Sequence, residues 1–447
     1  MNLQRIIFRV IFVSLATAAL PACAGVRMSV TAETTNQPNP GSTMPPNGVV
    51  QSEVVLADSY LSSRSGNTTN AFDFAQRRRY VLDESTKTYD EYSLFDVVGF
   101  RELELRNREG LRTAMAAAKL DQKLASPLEE EHELSIAGAA PAPAPVTTRT
   151  EGGDEVFMSG DVILLRHSKE GTPVSAPDAA RFVQYLRYLF AGHPAALAAL
   201  QKEGRIPARL SYVFHTMGGA STVELKISKV AEADAPAALT LAGYTPHPPA
   251  ANAATLDELL DRAWASRSTL AAGMKRPQAE ALAAQLREQR PLEAWLLISE
   301  VQLSDGRLPA ITDEQKRMFQ TDPAIQALAR AVSANDANSM RQAVGSLEML
   351  RLQVQSRRYV LSLFEANDRT KLGEAVKART LYADVLQANP TLAGAYKDIG
   401  DFYFRSFDTP RAWRSWEIAR TLAPLFPTVG AVSDFERSLA TRFPEYF

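Results

Sequence analysis

Histidines, cysteines and paired carboxylates supply most acid–base, nucleophilic and metal chemistry, and this chain offers them in few usable arrangements. Its five histidines are His132, His167, His193, His215 and His247, and none stands in a metal spacing of the HExxH kind. Glu131-His132-Glu133 gathers charge, but adjacent residues on a helix do not face one site, so the triplet reads as a solvated acidic face. His215 precedes Met217-Gly218-Gly219-Ala220. With no Gly-x-Ser-x-Gly elbow to accompany an oxyanion loop, it reads as a strand-end His before a turn. No Gly-rich phosphate loop and no dinucleotide fingerprint occurs. Arg77-Arg78-Arg79 is a short basic run whose side chains alternate faces on a strand, which fits a surface strand better than an anion site. No catalytic residue, metal or cofactor is therefore expected, and the chain reads as a binding protein and not an enzyme.

The one cysteine in 447 residues is Cys23, and it stands beside a targeting segment. Residues 1–22 carry Arg5 and Arg9, then an apolar run from Val10 to Leu20, the order of a signal peptide. The run is shorter than the ~20 residues that span a bilayer. Leu20-Pro21-Ala22-Cys23 resembles a bacterial lipobox, although Pro21 departs from the usual pattern. That resemblance implies a lipidated Cys23 as the mature N-terminus. Ala24 in the next position implies the outer membrane, with the body facing the periplasm. The other reading is soluble secretion after Ala22-Cys23-Ala24. A lone cysteine cannot close an internal disulfide, which favours lipidation. Residues 23–48, densest in Asn, Pro and Gly over 36–48, are expected to be a disordered tether behind the lipid.

Behind the tether, hydrophobic residues at 45% and charged residues at 22% permit a packed core. The length fits two domains at ~100–200 residues each. A net charge of -2 gives no reason to expect nucleic acid as a partner. The expected fold class is α+β: an N-terminal antiparallel β-rich α+β domain over 49–242, then an α-helical solenoid over 253–447. Strand patterns run over 71–82, 88–98, 155–166, 209–216 and 221–230, with helices over 101–120, 179–190 and 194–202 between them. Strands in succession without βαβ regularity argue for antiparallel pairing. By order and compartment alone this domain resembles the curved half-barrels of lipoprotein carriers, which would imply a carrier or sensor of a hydrophobic ligand. An envelope hydrolase is the remaining alternative, and it lacks a nucleophile. The Ala/Pro stretch 137–145 reads as a loop, and 243–252, around GYTPHPPAA, as the domain linker. Beyond it helices are expected over 256–266, 277–289, 292–303, 322–332 and 432–441, with one long helix over 340–366.

The clearest helical signal lies at 395–424. Tyr396, Ile399, Gly400 and Tyr403 form one stripe, and Ala412, Trp416 and Ala419 another, with Pro424 beyond the end. Gly400 and Ala412 are small where two helices must approach, while Tyr403 and Trp416 fill the space between. These positions resemble a tetratricopeptide (TPR) unit, and Ala378, Tyr382 and Pro390 stand one ~34-residue period upstream. The resemblance implies a protein or peptide partner. Lys397, Asp401 and Phe404 lie off the packing stripe, on the face that lines the groove in TPR proteins. Two outcomes stand for each. Lys397 and Asp401 either meet a peptide or pair with each other at i, i+4. Phe404 either anchors a partner or is buried against a neighbouring helix.

Overall fold

The computed structural model describes residues 24–118, 146–190, 192–216, 219–273, 279–288, 290–307 and 310–447. The signal segment, Cys23, Glu131-His132-Glu133 and the Ala/Pro stretch 137–145 lie outside the described residues. Among the described residues no helix is long and apolar enough to cross a membrane.

The first half of the chain is a twelve-stranded, mostly antiparallel sheet in the order β14-β6-β5-β4-β3-β2-β1-β13-β12-β9-β8-β7. Its strands are β1 (Ala24–Pro38), β2 (Gly48–Leu56), β3 (Tyr60–Ser65), β4 (Thr68–Asp73), β5 (Arg78–Asp83) and β6 (Thr88–Ser93). They continue with β7 (Val146–Glu151), β8 (Asp154–Ser159), β9 (Val162–Ser168), β12 (Arg209–Thr216), β13 (Gly219–Asp234) and the short β14 (Thr245–Pro246). Strands β10 (Gly171–Pro173) and β11 (Arg205–Pro207) form a separate pair. The β-rich half followed by helices is thus the α+β class expected.

The tether is corrected. Residues 24–38 are β1, paired with β2 on one side and β13 on the other. Val26, Met28 and Val30 are buried, at 5%, 0% and 2% exposure, while Arg27 and Ser29 between them face the other way. This is the period-2 pattern of a half-buried strand. The polar, Thr-rich composition that suggested disorder belongs to the solvent side and the loop 39–47. Gly25 is required there, since a Cβ would come within 2.6 Å of the Leu56 carbonyl oxygen.

Among the described residues three helices serve the sheet: α1 (Phe95–Ala117), α2 (Ala176–Leu189) and α3 (Pro194–Lys202). Helix α2 starts at Ser175, whose hydroxyl accepts from Asp178 N, and buries Phe182, Val183, Tyr185 and Leu186 in the core with Val26, Met28 and Leu56. The helical half comprises α4 (Leu256–Gly273), α5 (Ala279–Arg287), α6 (Pro291–Asp305), α7 (Asp313–Thr321), α8 (Pro323–Val332) and α9 (Ala337–Gln353). It ends with α10 (Arg358–Lys371), α11 (Ala375–Ala388), α12 (Ala393–Arg405), α13 (Thr409–Leu422) and α14 (Pro427–Arg442). The long helix expected over 340–366 is two helices. Arg357 takes a left-handed φ of 56°, and the Glu293 carboxylate accepts from Gln355 N at 2.5 Å and Ser356 N at 3.1 Å, holding the break.

The linker expected at 243–252 does not separate two cores. Thr245 and Pro246 add to the β6 edge, and His247 N donates to Tyr89 O at 2.8 Å. One apolar cluster runs from Val26, Leu56 and Phe72 through Phe182 and Tyr185 to Leu363, Tyr382, Tyr396 and Trp413. A second cluster belongs to the helices alone and joins Leu296, Leu297, Phe319, Leu328, Leu347 and Leu361.

Candidate interaction site

The helix pair α12–α13 is built as its spacing requires. Tyr396 and Ile399 are fully buried, Tyr403 is 1% exposed, and Ala412 and Ala419 are fully buried on the facing helix. Gly400 lets the Trp416 indole pass, since a Cβ there would sit 2.3 Å from Trp416 Cδ1. Phe407 turns the chain at φ 63°, and the Asp408 carboxylate accepts from Arg411 N, capping α13. Pro424 follows the last turn of α13 and is exposed. The Tyr403 hydroxyl donates to Asp257 Oδ1 of α4 at 2.5 Å, fastening the pair to the next helix.

Lys397, Asp401 and Phe404 do not form a free recognition face. Lys397 Nζ lies 2.6 Å from Asp401 Oδ2. Trp416 Nε1 donates to Asp401 Oδ1 at 3.1 Å and to Lys397 O at 3.2 Å. Phe404 is half-buried among the rings of Trp413, Trp416 and Phe435, with centroids at 5.8, 5.5 and 5.6 Å. Phe435 comes from α14, so the terminal helix covers the place where a partner would have to insert. All three residues are committed to contacts within the chain.

Beside this pair lies a partly buried polar knot. Asn367 Nδ2 donates to Asp398 Oδ2 at 2.7 Å, and the Tyr382 hydroxyl donates to Asn367 Oδ1 at 2.8 Å. Burial pushes the Asp398 carboxyl up to about 6, against the opposing effect of the Asn367 bond.

An open groove of mixed polar and apolar lining occurs one hairpin upstream. Helices α9, α10 and α11 border a groove of about 720 Å³ lined by Met349, Leu352, Arg358, Tyr359 and Asp384 among others. Met349 is 60% exposed and Leu352 77%. The buried stripe of α9 is Met340, Ala343, Val344, Leu347 and Leu350. Met349 and Leu352 fall off that stripe, and this was the signal available in the sequence. The Arg358 side chain donates Nε to Val354 O at 2.9 Å on the groove wall. Arg351 is held by Glu365 and Ser362, so it shapes the wall.

A smaller cavity of about 360 Å³ sits where the sheet edge meets the helices, between Tyr89, Glu91, His247, Trp264, Arg267 and Arg414. Two ion pairs cross it: Glu91 lies 3.6 Å from Arg267, and Asp261 lies 2.5 Å from Arg414. Arg267 also stacks on Trp264 at 3.8 Å. It is a fastening between halves more than an open receptor. Among the described residues one group has metal-ligand composition, Glu155, His167 and Glu203, and it belongs to the sheet half.

No known protein family model matches the chain, and no curated protein matches it significantly.

Proposed function

We propose that this chain is a lipid-anchored cell-envelope protein whose helical half, built of hairpins of the tetratricopeptide kind, docks a partner protein. The observation that supports this reading most is the α9–α11 groove with Met349 and Leu352 exposed beside it. Apolar side chains clustered at a groove are the usual anchors of a protein interface. The partner is a protein segment that offers an apolar side chain to Met349 and Leu352. The lipid is carried by Cys23 and directs the body to the periplasmic side of the outer membrane. On this reading β1, which pairs with β13 from Ala24 onward, follows the lipid-bearing residue directly, so the sheet would lie close to the bilayer. A carrier function in the sheet is less well supported. Phe182, Tyr185 and Leu186 fill its apolar side, and a hydrophobic ligand would have to displace them.

The test is site-specific photo-crosslinking in cells from residue 352, with residue 376 as the control. Val376 is 82% exposed but is not part of the groove wall. A discrete crosslinked protein from 352, absent from 376, is expected. Equal or no crosslinking from the two positions would sink the reading. The anchor is tested by the mass and membrane partition of wild type against Cys23→Ser: a lipid-sized mass in the first and release of the second are expected.

A further inference from the structure

We infer that Glu155, His167 and Glu203 form a binding site for one divalent transition-metal ion of the zinc class. Glu155 and His167 are direct cross-strand partners in the β8–β9 register, so their side chains share a face. Glu203 caps the end of α3, and the turn through Gly204 into β11 brings its carboxylate over the same place. The ligand atoms of the three residues lie within 4.8 Å of one another.

The observation that points to an ion is the placement of the His167 ring. Its side chain is fully buried. Nδ1 lies 3.0 Å from the Ser168 carbonyl oxygen, which can only accept. That contact fixes the ring plane and aims Nε2 at the two carboxylates, the orientation that a metal-bound imidazole takes. Nε2 is buried and makes no hydrogen bond. Yet Glu203 Oε1 lies 3.0 Å from it and Glu155 Oε2 lies 3.7 Å from it. A direct hydrogen bond at 3.0 Å would need the oxygen on the ring-nitrogen axis, and it is off that axis. An ion about 2.1 Å from each atom needs the oxygens off the axis. The two separations would then subtend about 90° and about 120° at the metal, both ordinary ligand angles.

The outer contacts fit as well. Each carboxylate turns one oxygen to His167 and the other toward a cation: Glu155 Oε1 lies 3.9 Å from Lys169 Nζ, and Glu203 Oε2 lies 3.9 Å from Arg205 Nε. Such partners orient ligating carboxylates. They also weaken the pull on a cation, so the ion must be one that imidazole favours over hard cations such as magnesium. Phe157 stacks on the His167 ring at 5.7 Å and closes one side. Three protein ligands leave at least one position for water. The ion would tie the end of α3 to β8 and β9.

The experiment uses the full mature chain without a histidine tag, stripped with a chelator and titrated with Zn²⁺ calorimetrically and with Co²⁺ by visible absorption. One ion per chain is expected, with Co²⁺ bands of low-coordinate geometry, and a higher Tm in the presence of Zn²⁺. Glu203→Gln and His167→Gln are each expected to weaken binding about ten-fold or more. Glu155→Gln, on a partly exposed side chain, serves if His167→Gln fails to fold. No uptake by the wild type would overturn the site. Uptake unchanged in all folded variants would do so too, because the ion would then sit on another histidine.

Discussion

Arg78 Nη1 lies 2.6 and 2.7 Å from the two carboxylate oxygens of Glu417, joining β5 to a helix 339 residues further along the chain. Arg78 also reaches Glu91 at 3.4 Å, and its neighbour Arg79 pairs with the buried Asp96 at 2.9 Å. Arg77 completes the run over the rings of Phe95 and Phe447. The basic triplet that suggested a surface strand is the seam between the two halves of the molecule. Each carboxylate there is mostly shielded from water, with Glu417 12% exposed at its side chain.

Breaking this pair from one side leaves a shielded charge without its partner. Arg78→Met strands Glu417 and leaves Glu91 to Arg267 alone, and a loss of about 3–5 kcal/mol is expected from urea unfolding. Glu417→Leu leaves Arg78 with Glu91 and is expected to cost less. The double variant leaves neither partner of this pair charged, so its loss falls short of the sum by about 0.5–3 kcal/mol. Strict additivity would show that the contact carries no coupling.

Glycine substitutions on two helices have opposite expected signs. At Gly345 on α9 a Cβ meets open space, so Gly345→Ala gains helix propensity and stabilises by about 0.5–1 kcal/mol. At Gly400 the same gain is outweighed, because the Cβ would strike the Trp416 ring at 2.3 Å. Moving that ring also disturbs its bonds to Asp401 and the Lys397 carbonyl. Gly400→Ala is expected to destabilise by about 1–3 kcal/mol net of propensity, with a changed tryptophan emission spectrum. A stabilised Gly400→Ala protein would mean that the helices can part at little cost.

Asp398 makes stability depend on pH in a defined direction. Its carboxyl is raised from 3.8 to about 6, chiefly by burial. The native state therefore holds the proton more tightly than the unfolded chain. The contribution to stability is complete below about pH 4 and is lost as pH rises to about 6. The shift corresponds to at most about 3 kcal/mol. Asp398→Asn keeps an acceptor for Asn367 and cannot ionise. In urea melts from pH 4 to pH 7.5 the variant should match wild type at the acid end and exceed it at neutral pH. A constant difference across that range would count against a buried, raised Asp398.

How much of this was legible follows from what each signal depends on. The α12–α13 pair was readable because its stripes, its small residues and its capped turn are all local. The strand pattern at 155–166 was readable for the same reason, and it is the hairpin of β8 and β9, with Gly160 at the turn taking φ 58°. Strand β1 was missed because only Val26, Met28, Val30 and Ala32 carry its apolar alternation. Its place between β2 and β13 is set by pairing with residues nearly 200 positions away. The join between the halves was invisible for the same reason, since Arg78 and Glu417 have no local relation. Cross-strand pairing also hid Glu155, His167 and Glu203, which follow no sequence spacing at all.

The two candidate partner surfaces separate cleanly by mutation. Phe404 is packed against Trp413, Trp416 and Phe435, so Phe404→Ala removes ring contacts and opens space under α14. A half-buried ring of this kind is expected to cost about 2–3 kcal/mol, somewhat below a fully buried Phe→Ala change. Partner capture by the folded fraction should be unchanged. Leu352 is 77% exposed and off the buried stripe of α9, so Leu352→Asp should leave stability within about 0.5 kcal/mol. The same change puts a charge on the apolar lip of the groove and should abolish capture. Thermal melts and crosslinking yields on the two proteins decide between the surfaces. Loss of capture in a fully folded Phe404→Ala protein would return recognition to the α12 face, and retained capture in Leu352→Asp would remove it from the α9 groove.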